Sequence, residues 1–226
     1  MIGRRARAVR VYGIIGHGGA VAEQMPEGAH LLTFRDLGAV VGDVTPGKRG
    51  PGPPDVALHR ALVAAVFAHR SIVPVSPGVV FRRADAVIAW LELHYAVLHD
   101  ALRYVHGRVE ARVHVRPRAG GGAPAARPEA GVDGRSDFTD AALEVLRTLG
   151  RDAASWILMP SADAGPSGRP DGRDVADISA SFLVERSRWR ELAAAVAAQA
   201  DRGSGLEIAL TGPWPPYDFV RLQFGG

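Results

Sequence analysis

The chain contains no cysteine among its 226 residues. Disulfide bonds, thiolate metal ligands and a thiol nucleophile are therefore excluded, and a cytoplasmic protein is favoured. Long apolar runs are also missing, since no segment approaches the roughly 18 uninterrupted apolar residues of a membrane-spanning helix. The basic start at Arg4 and Arg5 is followed by Arg7, Arg10 and His17 rather than by a signal-peptide core. We expect a cytoplasmic protein that does not enter the membrane.

Motifs that carry catalysis or metal binding are absent as well. There is no G-x-S-x-G elbow, no H-E-x-x-H pair among the eight histidines and no prominent pair of carboxylates. Glycines at 13, 16, 18 and 19 follow a predicted strand, but their spacing fits neither a dinucleotide fingerprint nor a P-loop. They predict a turn that needs positive φ. We expect no enzymatic activity, no cofactor and no metal site.

Clustered charge is lacking too. The chain has 27 basic and 24 acidic residues, a formal net charge of +3. A sequence pI near 9.8 is typical of some nucleic-acid-binding proteins, but their basic residues usually form a patch or stripe, and no such run is present here. Nucleic acid is not an expected partner.

What is present is an alternation of short strands and amphipathic helices, typical of an α+β fold. A helix with Asp55 as its N-cap and a second, longer helix with one apolar stripe stand out. The stripe contains Val87, Leu91, Leu98, Leu102 and Val105, and His94 inside it is expected to be a hydrogen-bonded core or interface histidine. In the first half we predict strands over 8–15, 30–34, 37–44, 71–75 and 79–81, a loop over 46–54, and helices over 55–70 and 83–105.

The second half predicts a smaller α+β unit. After a strand over 107–116, with Val109, Ala111, Val113 and Val115 on one face, a flexible linker near 117–136 precedes a helix capped by Asp137. The βαββαβ order is that of a ferredoxin-like domain with an antiparallel sheet. We predict two domains, 1–106 and 107–226. The remaining predicted elements are a helix over 137–149, a strand over 155–160, a loop over 161–174, a strand over 177–185, a helix over 189–200 and a strand over 206–210.

An aromatic and proline-rich tail over 212–226 ends the chain. Three prolines fix φ and remove three backbone donors, so the segment around them must be extended and stiff. One interpretation is that Trp214, Tyr217 and Phe219 dock on a neighbouring domain as a latch. The alternative is an exposed polyproline ligand for an aromatic groove. We favour the latch, because bulky aromatic side chains left in water form an apolar patch.

The tail motif resembles the C-terminal signature of the gas vesicle protein F/L family. Three further segments match the family in order, and together they span nearly the whole chain. The residues that carry the resemblance and form the candidate site are Tyr12, Gly13, His59, Pro74, Phe81, Thr211, Gly212, Pro213, Trp214, Pro215, Pro216, Tyr217 and Phe219. The chain departs from the family where Ser76-Pro77-Gly78-Val79 replaces an Arg-Phe-Gly-Thr turn, so no role of that arginine is carried over.

The resemblance implies a non-enzymatic accessory protein of gas vesicle formation. It implies that the protein is a minor component, required for assembly, that is associated with the gas-facing side of the vesicle. It further implies that the protein binds the small hydrophobic shell protein and other accessory proteins. Unassembled shell subunits expose a large apolar face, which aggregates unless a partner covers it. The resemblance does not separate the F branch from the L branch.

Two other hypotheses follow from the residues themselves. The βαββαβ order and the early glycines are compatible with a small-molecule or nucleotide-binding regulator. RNA binding on an open sheet is disfavoured, because the aromatic motif of RNA-recognition domains is absent and the Arg112 face of its strand has no aromatic partner.

Overall fold

A computed structural model describes residues 8–18, 25–44, 53–118, 133–160, 177–202, 205–220 and 222 of the protein. The chain forms two compact units, Met1–Arg108 together with Trp214–Gly226, and Val109–Pro213. Each unit combines one sheet with helices, so the predicted α+β class is confirmed. The sequence placed the tail in the second domain, whereas from Trp214 onward the tail belongs to the first unit.

The first unit is built on a five-stranded sheet. Its strand order is β2-β3-β1-β4, and β5 also pairs with β1. A hairpin turn at Arg35 and Asp36 joins β2 to β3, and Arg35 has a φ of 54°. The elements of this unit are β1 (Val9–Gly16), β2 (His30–Phe34), β3 (Leu37–Asp43), α1 (Pro53–Phe67), β4 (Val73–Pro74), β5 (Val80–Phe81), α2 (Ala84–Leu93) and α3 (Tyr95–Val105).

Strand β1 carries an irregularity of the bulge type at Tyr12. Val11 pairs with Val41 and Gly13 pairs with Val40, so the register shifts between them. An extra residue in a strand reverses the side-chain alternation beyond it. Val9, Val11 and Ile14 consequently enter the same core cluster, which explains why their sequence spacing is not a strict alternation.

The first-unit core lies on both faces of the sheet. Helices α2 and α3 cover one face through the predicted apolar stripe, which packs with β1, β3 and β4. Helix α1 covers the other face and buries Leu62, Val63, Val66 and Phe67. The loop predicted over 46–54 lies largely outside the described residues.

The single helix predicted over 83–105 is two helices, α2 and α3, separated at His94. The backbone angles of His94, φ −105° and ψ 15°, leave the helical region. Its ring stacks on Trp90 at a centroid distance of 4.9 Å, and Nδ1 lies 2.9 Å from the Trp90 carbonyl oxygen. A side chain inserted beside the helical hydrogen-bond ladder is a common cause of such a break. The hydrophobic periodicity of the sequence did not predict this break, because α2 and α3 both turn their apolar residues to the same core.

Two predicted helix starts were wrong. Helix α1 begins at Pro53, a favourable first-turn residue, so Asp55 lies in the first turn rather than at the cap. Asp55 instead pairs with Arg10 of β1. Helix α4 begins at Asp133 and not at Asp137, so it includes the end of the predicted linker. The rest of that linker, 119–132, and the predicted loop over 161–174 lie outside the described residues.

The second unit is built on a four-stranded sheet with the order β7-β8-β6-β9. Its elements are β6 (Arg108–Pro117), α4 (Asp133–Gly150), β7 (Ser155–Met159), β8 (Ile178–Glu185), a short 3-10 turn over Arg186–Arg188, α5 (Trp189–Asp201) and β9 (Leu206–Trp214). The predicted inward face of β6 is fully buried. Glu110 alternates with these residues along the strand, yet it is only 2% exposed and pairs with Arg112 at 3.3 Å.

Gly13 provides a direct test of the close contact between β1 and β4. A Cβ built on it would lie 2.5 Å from Ile72 Cδ1 and 2.9 Å from the Val73 carbonyl oxygen. Gly13→Ala should therefore lower the free energy of unfolding by about 1–3 kcal/mol, as overpacked cores do. Gly16→Ala is the matched control, because a Cβ there meets no atom within 4 Å. Equal melting temperatures for the two variants in thermal denaturation would contradict this packing.

Candidate functional site

The N-terminal signature residues form a cluster around the backbone of Val75. The Val75 N–H donates to the Tyr12 carbonyl oxygen at 3.0 Å, and the Val75 carbonyl oxygen lies 2.8 Å from His59 Nε2. Because a carbonyl only accepts, His59 Nε2 carries the proton. The rings of Tyr12 and His59 lie 5.3 Å apart, tilted by 55°. The structure thus brings together residues from β1, from α1 and from the end of β4. The outermost two, Tyr12 and Val75, are 63 positions apart in sequence.

The His59 ring is held in its neutral form. Its side chain is fully buried, and burial lowers its pKa. The nearby charges of Arg10 and Arg60 lower the pKa further, while the hydrogen bond to Val75 opposes them. Burial likewise raises the pKa of the Tyr12 hydroxyl. A neutral buried imidazole that donates to a backbone carbonyl holds structure in place, and nothing in this arrangement activates a nucleophile.

An ion pair lies beside this cluster and joins the same two elements. Arg10 Nη1 of β1 is 3.1 Å from Asp55 Oδ1 in the first turn of α1. The two side chains are only 12% and 16% exposed, so water screens the pair less than a surface pair. A carboxylate in the first turn also interacts favourably with the helix dipole. The pair and the His59 hydrogen bond together fix α1 on the sheet.

The remaining N-terminal signature residues are also structural. Gly13 pairs with Pro74 across β1 and β4. Phe81 pairs with Val9 and meets Trp90 at 6.2 Å in an edge-on arrangement. These residues hold the short strands β4 and β5 against β1.

The tail signature is divided between the two units. Thr211, Gly212 and Pro213 end β9 in the second unit, and the following residues belong to the first unit. Gly212 has a φ of 128°, and a Cβ there would lie 2.9 Å from the Glu110 carbonyl oxygen, so only glycine fits. The Gly212–Pro213 peptide bond is cis.

Beyond Trp214 the tail packs on the first-unit core. Pro215 and Pro216 are buried, and Tyr217 and Phe219 are half-buried. Val220 and Leu222, which the sequence did not single out, contact the core cluster directly. The Trp214 side chain is 50% exposed, so the expectation that its ring is buried was wrong.

A group of exposed apolar side chains lies on α2 and α3, away from the core. Leu93 is 80% exposed, Val97 is 63% exposed and Tyr104 is 38% exposed. Val97 and Tyr104 are seven residues apart on α3, which places them on one side of that helix, and Leu93 is the last residue of α2. We call these three residues the α2–α3 ridge. Clustered exposed apolar side chains are typical of protein-binding surfaces.

Comparisons with known proteins agree with the resemblance. The family model "Gas vesicle synthesis protein GvpL/GvpF" matches residues 8–131 and 133–221. The chain belongs to this family. Gas vesicle protein F2 of Halobacterium salinarum is 29% identical over 200 residues, covering 87% of this chain and 82% of that protein. Gas vesicle protein L of a Streptomyces species is 29% identical over 239 aligned positions, covering 88% of each chain.

A solved structure shares the fold. The crystal structure of the gas vesicle protein GvpF from Anabaena sp. PCC7120 superimposes with a TM-score of 0.70, covering 98% of this chain and 99% of that one. The sequence identity is 15%, so this likeness concerns the fold alone. Family membership supports a role in gas vesicle formation. Among the described residues, no helix is both long and apolar enough to cross a bilayer.

The sequence analysis overlooked the α2–α3 ridge, although a signal was present. At 100° per residue, Leu93, Val97 and Tyr104 fall on the side of the predicted helix opposite the apolar stripe. Apolar residues on both sides of a surface helix indicate either burial on both sides or a second contact surface. The exposed fractions show that this side of the helices is not buried among the described residues.

The neutral buried state of His59 predicts a pH dependence. Below the ordinary histidine pKa of about 6.5, the unfolded chain binds a proton at this position that the native protein does not bind. The free energy of unfolding should therefore fall as the pH drops below about 6.5, by at most about 1.4 kcal/mol per pH unit from this group, until the lowered native pKa is reached.

His59→Gln removes this titration while keeping a donor for Val75. Urea denaturation at pH 7.5 and 5.5 should show a smaller loss of stability for the variant than for the native protein. Parallel losses in the two proteins would mean that His59 is not held neutral.

The different exposure of the tail residues predicts how much each contributes to the free energy of unfolding. Trp214→Ala should cost less than about 1 kcal/mol because half of the side chain is already in water. Leu222→Ala should cost more, about 1–2 kcal/mol, because a partly buried leucine loses its contacts with the core. Thermal denaturation of both variants ranks them, and the opposite order would show that Trp214 anchors the tail.

Proposed function

We propose that this protein is a non-enzymatic accessory factor of gas vesicle formation that binds the small hydrophobic shell protein as an assembly adaptor. Membership of the GvpL/GvpF family supports a role in gas vesicle formation. The exposed apolar side chains of the α2–α3 ridge support binding of the shell protein as the mode of action. The single observation that carries the proposal is the exposure of Leu93 on α2 and Val97 on α3.

The ridge has the chemistry expected of a surface that covers an apolar partner. Burying a leucine and a valine side chain stabilises a complex by roughly 1.5–3 kcal/mol each. Exposed acidic residues, Glu92 and Asp100, lie close to the ridge in sequence, and a polar rim is typical of protein–protein interfaces. The helices are fixed by the core stripe beneath them, so little ordering is required on binding.

A binding role is also favoured by the state of the signature residues. His59 is neutral, buried and engaged with a backbone carbonyl, and Arg10 is paired with Asp55. These side chains support the sheet on which the ridge rests. We infer that the family signature maintains the scaffold and that the exposed helical face contacts gas vesicle proteins.

We further assign the second unit to the ferredoxin-like class. Its elements follow the order βαββαβ, and the sheet order β7-β8-β6-β9 places the first and third strands of the unit at the centre. Strands β7 and β8 are antiparallel. Both features are those of the split βαβ arrangement.

A double variant tests the ridge. Leu93→Glu with Val97→Glu should weaken binding to purified shell protein by about 10- to 100-fold, because two apolar contacts are replaced by charges that must be desolvated. The melting temperature should stay unchanged, since both side chains are largely exposed. Co-purification followed by a binding titration measures the effect.

Leu158→Glu is the matched control, because Leu158 is a 50% exposed leucine in the second unit. It should bind the shell protein as the native protein does. Equal affinities for the native protein, the double variant and Leu158→Glu would show that the ridge is not part of the interface. An absence of any binding by the native protein would overturn the adaptor function.

A further inference from the structure

A cleft of about 430 Å³ opens in the first unit, between the start of β3, the segment after α1 and the second half of α3. Its size is that of a small-molecule site. Apolar walls are provided by Leu37 and Leu102. Its polar lining consists of Asp36, Arg70, Ser71, His99, Arg103 and His106.

The lining is rich in cationic groups because of helix geometry. His99, Arg103 and His106 are spaced i, i+4 and i+7, so they lie on one side of α3 and its C-terminal end. Arg70 approaches from the segment after α1. The Ser71 Oγ accepts a hydrogen bond from the Gly107 N–H at 3.1 Å, which joins that segment to the end of α3. Two distant parts of the chain thus meet in one cleft.

The one carboxylate of the lining is already engaged. The Tyr95 hydroxyl donates to Asp36 Oδ1 at 2.6 Å, and His99 Nε2 lies 3.8 Å from Asp36 Oδ2. Two guanidinium groups, Arg70 and Arg103, carry permanent charge in the same lining. The ion pairs observed among the described side chains do not include Arg103. Among the described lining residues, the two guanidinium groups therefore outnumber the one carboxylate.

We propose that this cleft is a binding site for an oxyanion, the phosphate or carboxylate group of a small ligand. Guanidinium groups present paired donors that match the oxygen atoms of both groups. The Ser71 hydroxyl and the two imidazoles supply further donors at the same place, and Leu37 and Leu102 accommodate an apolar part of the ligand. The site is independent of the α2–α3 ridge and of binding to the shell protein.

Gly16 offers a steric test that leaves the charges unchanged. It lines the cleft at the end of β1, and a Cβ built on it meets no atom within 4 Å. A larger side chain is therefore accommodated by the fold but enters the space that the ligand would occupy. Gly16→Leu should remain folded and lose binding.

The experiment titrates the full chain with inorganic phosphate and, separately, with succinate, at constant ionic strength maintained with chloride. Calorimetry gives the affinity, and the side-chain NMR signals of His99 and His106 report the location. We expect saturable binding of at least one of the two anions, with both histidines perturbed. Binding of phosphate but not succinate would indicate a ligand with a phosphate group. Binding of succinate but not phosphate would indicate a ligand with a carboxylate group.

Variants separate the site from general charge effects. Arg103→Gln should weaken binding by about tenfold or more, since it removes a charged hydrogen-bond donor. Arg82→Gln removes the same charge from an exposed position outside the cleft and should bind as the native protein does. No saturable binding, equal affinities for the two variants, or full binding by folded Gly16→Leu would each overturn the proposal.

Discussion

The backbone of Val75 is held from both sides, and the architecture of the first unit depends on this constraint. Its N–H is bonded to β1 through Tyr12, and its carbonyl oxygen is bonded to α1 through His59. A two-residue strand such as β4 has too few ladder hydrogen bonds to hold its place alone. The buried imidazole supplies the missing attachment, and in the same step it fixes α1 on one face of the sheet.

Because α1 covers that face of the sheet, α2 and α3 pack on the opposite face. Their inward stripe closes the core, and Val220 and Leu222 of the tail pack against the same cluster. The outward side of the two helices does not contact the core, so apolar residues there have little effect on the free energy of unfolding. This division explains how one helical segment serves both the core and a proposed interface. It also explains why the N-terminal signature residues Tyr12, Gly13, His59 and Pro74 are buried while the proposed contact residues are exposed.

The sequence predicted the features that depend on local periodicity. The apolar stripe from Val87 to Val105 and the inward face of β6 follow from spacing alone. The break at His94 did not, because it arises from one ring that competes for space beside the Trp90 carbonyl. The three prolines of the tail predict a stiff, extended segment, but the composition could not show that Leu222 packs on the core while Trp214 is half exposed.

The proposed sites were harder to find from the sequence, for different reasons. The α2–α3 ridge was visible in the helical period, yet exposure decides whether an apolar residue is core or surface, and exposure is a tertiary property. The cleft requires Arg70 and Arg103 to line the same cavity, and no local pattern predicts this for residues so far apart in sequence. His59 was singled out only by the family resemblance, since a lone histidine on an apolar helix does not reveal its hydrogen-bond partner.

We propose that the first-unit sheet and its core hold α2 and α3 in place for contact with the shell protein. Hydrogen–deuterium exchange of the chain with and without purified shell protein tests it most directly, because it reports every amide at once. The account predicts that added protection on binding falls on α2 and α3, while β1 and β4 are already protected in the free protein. Added protection confined to the second unit, or rapid exchange of β1 in the free protein, would contradict it.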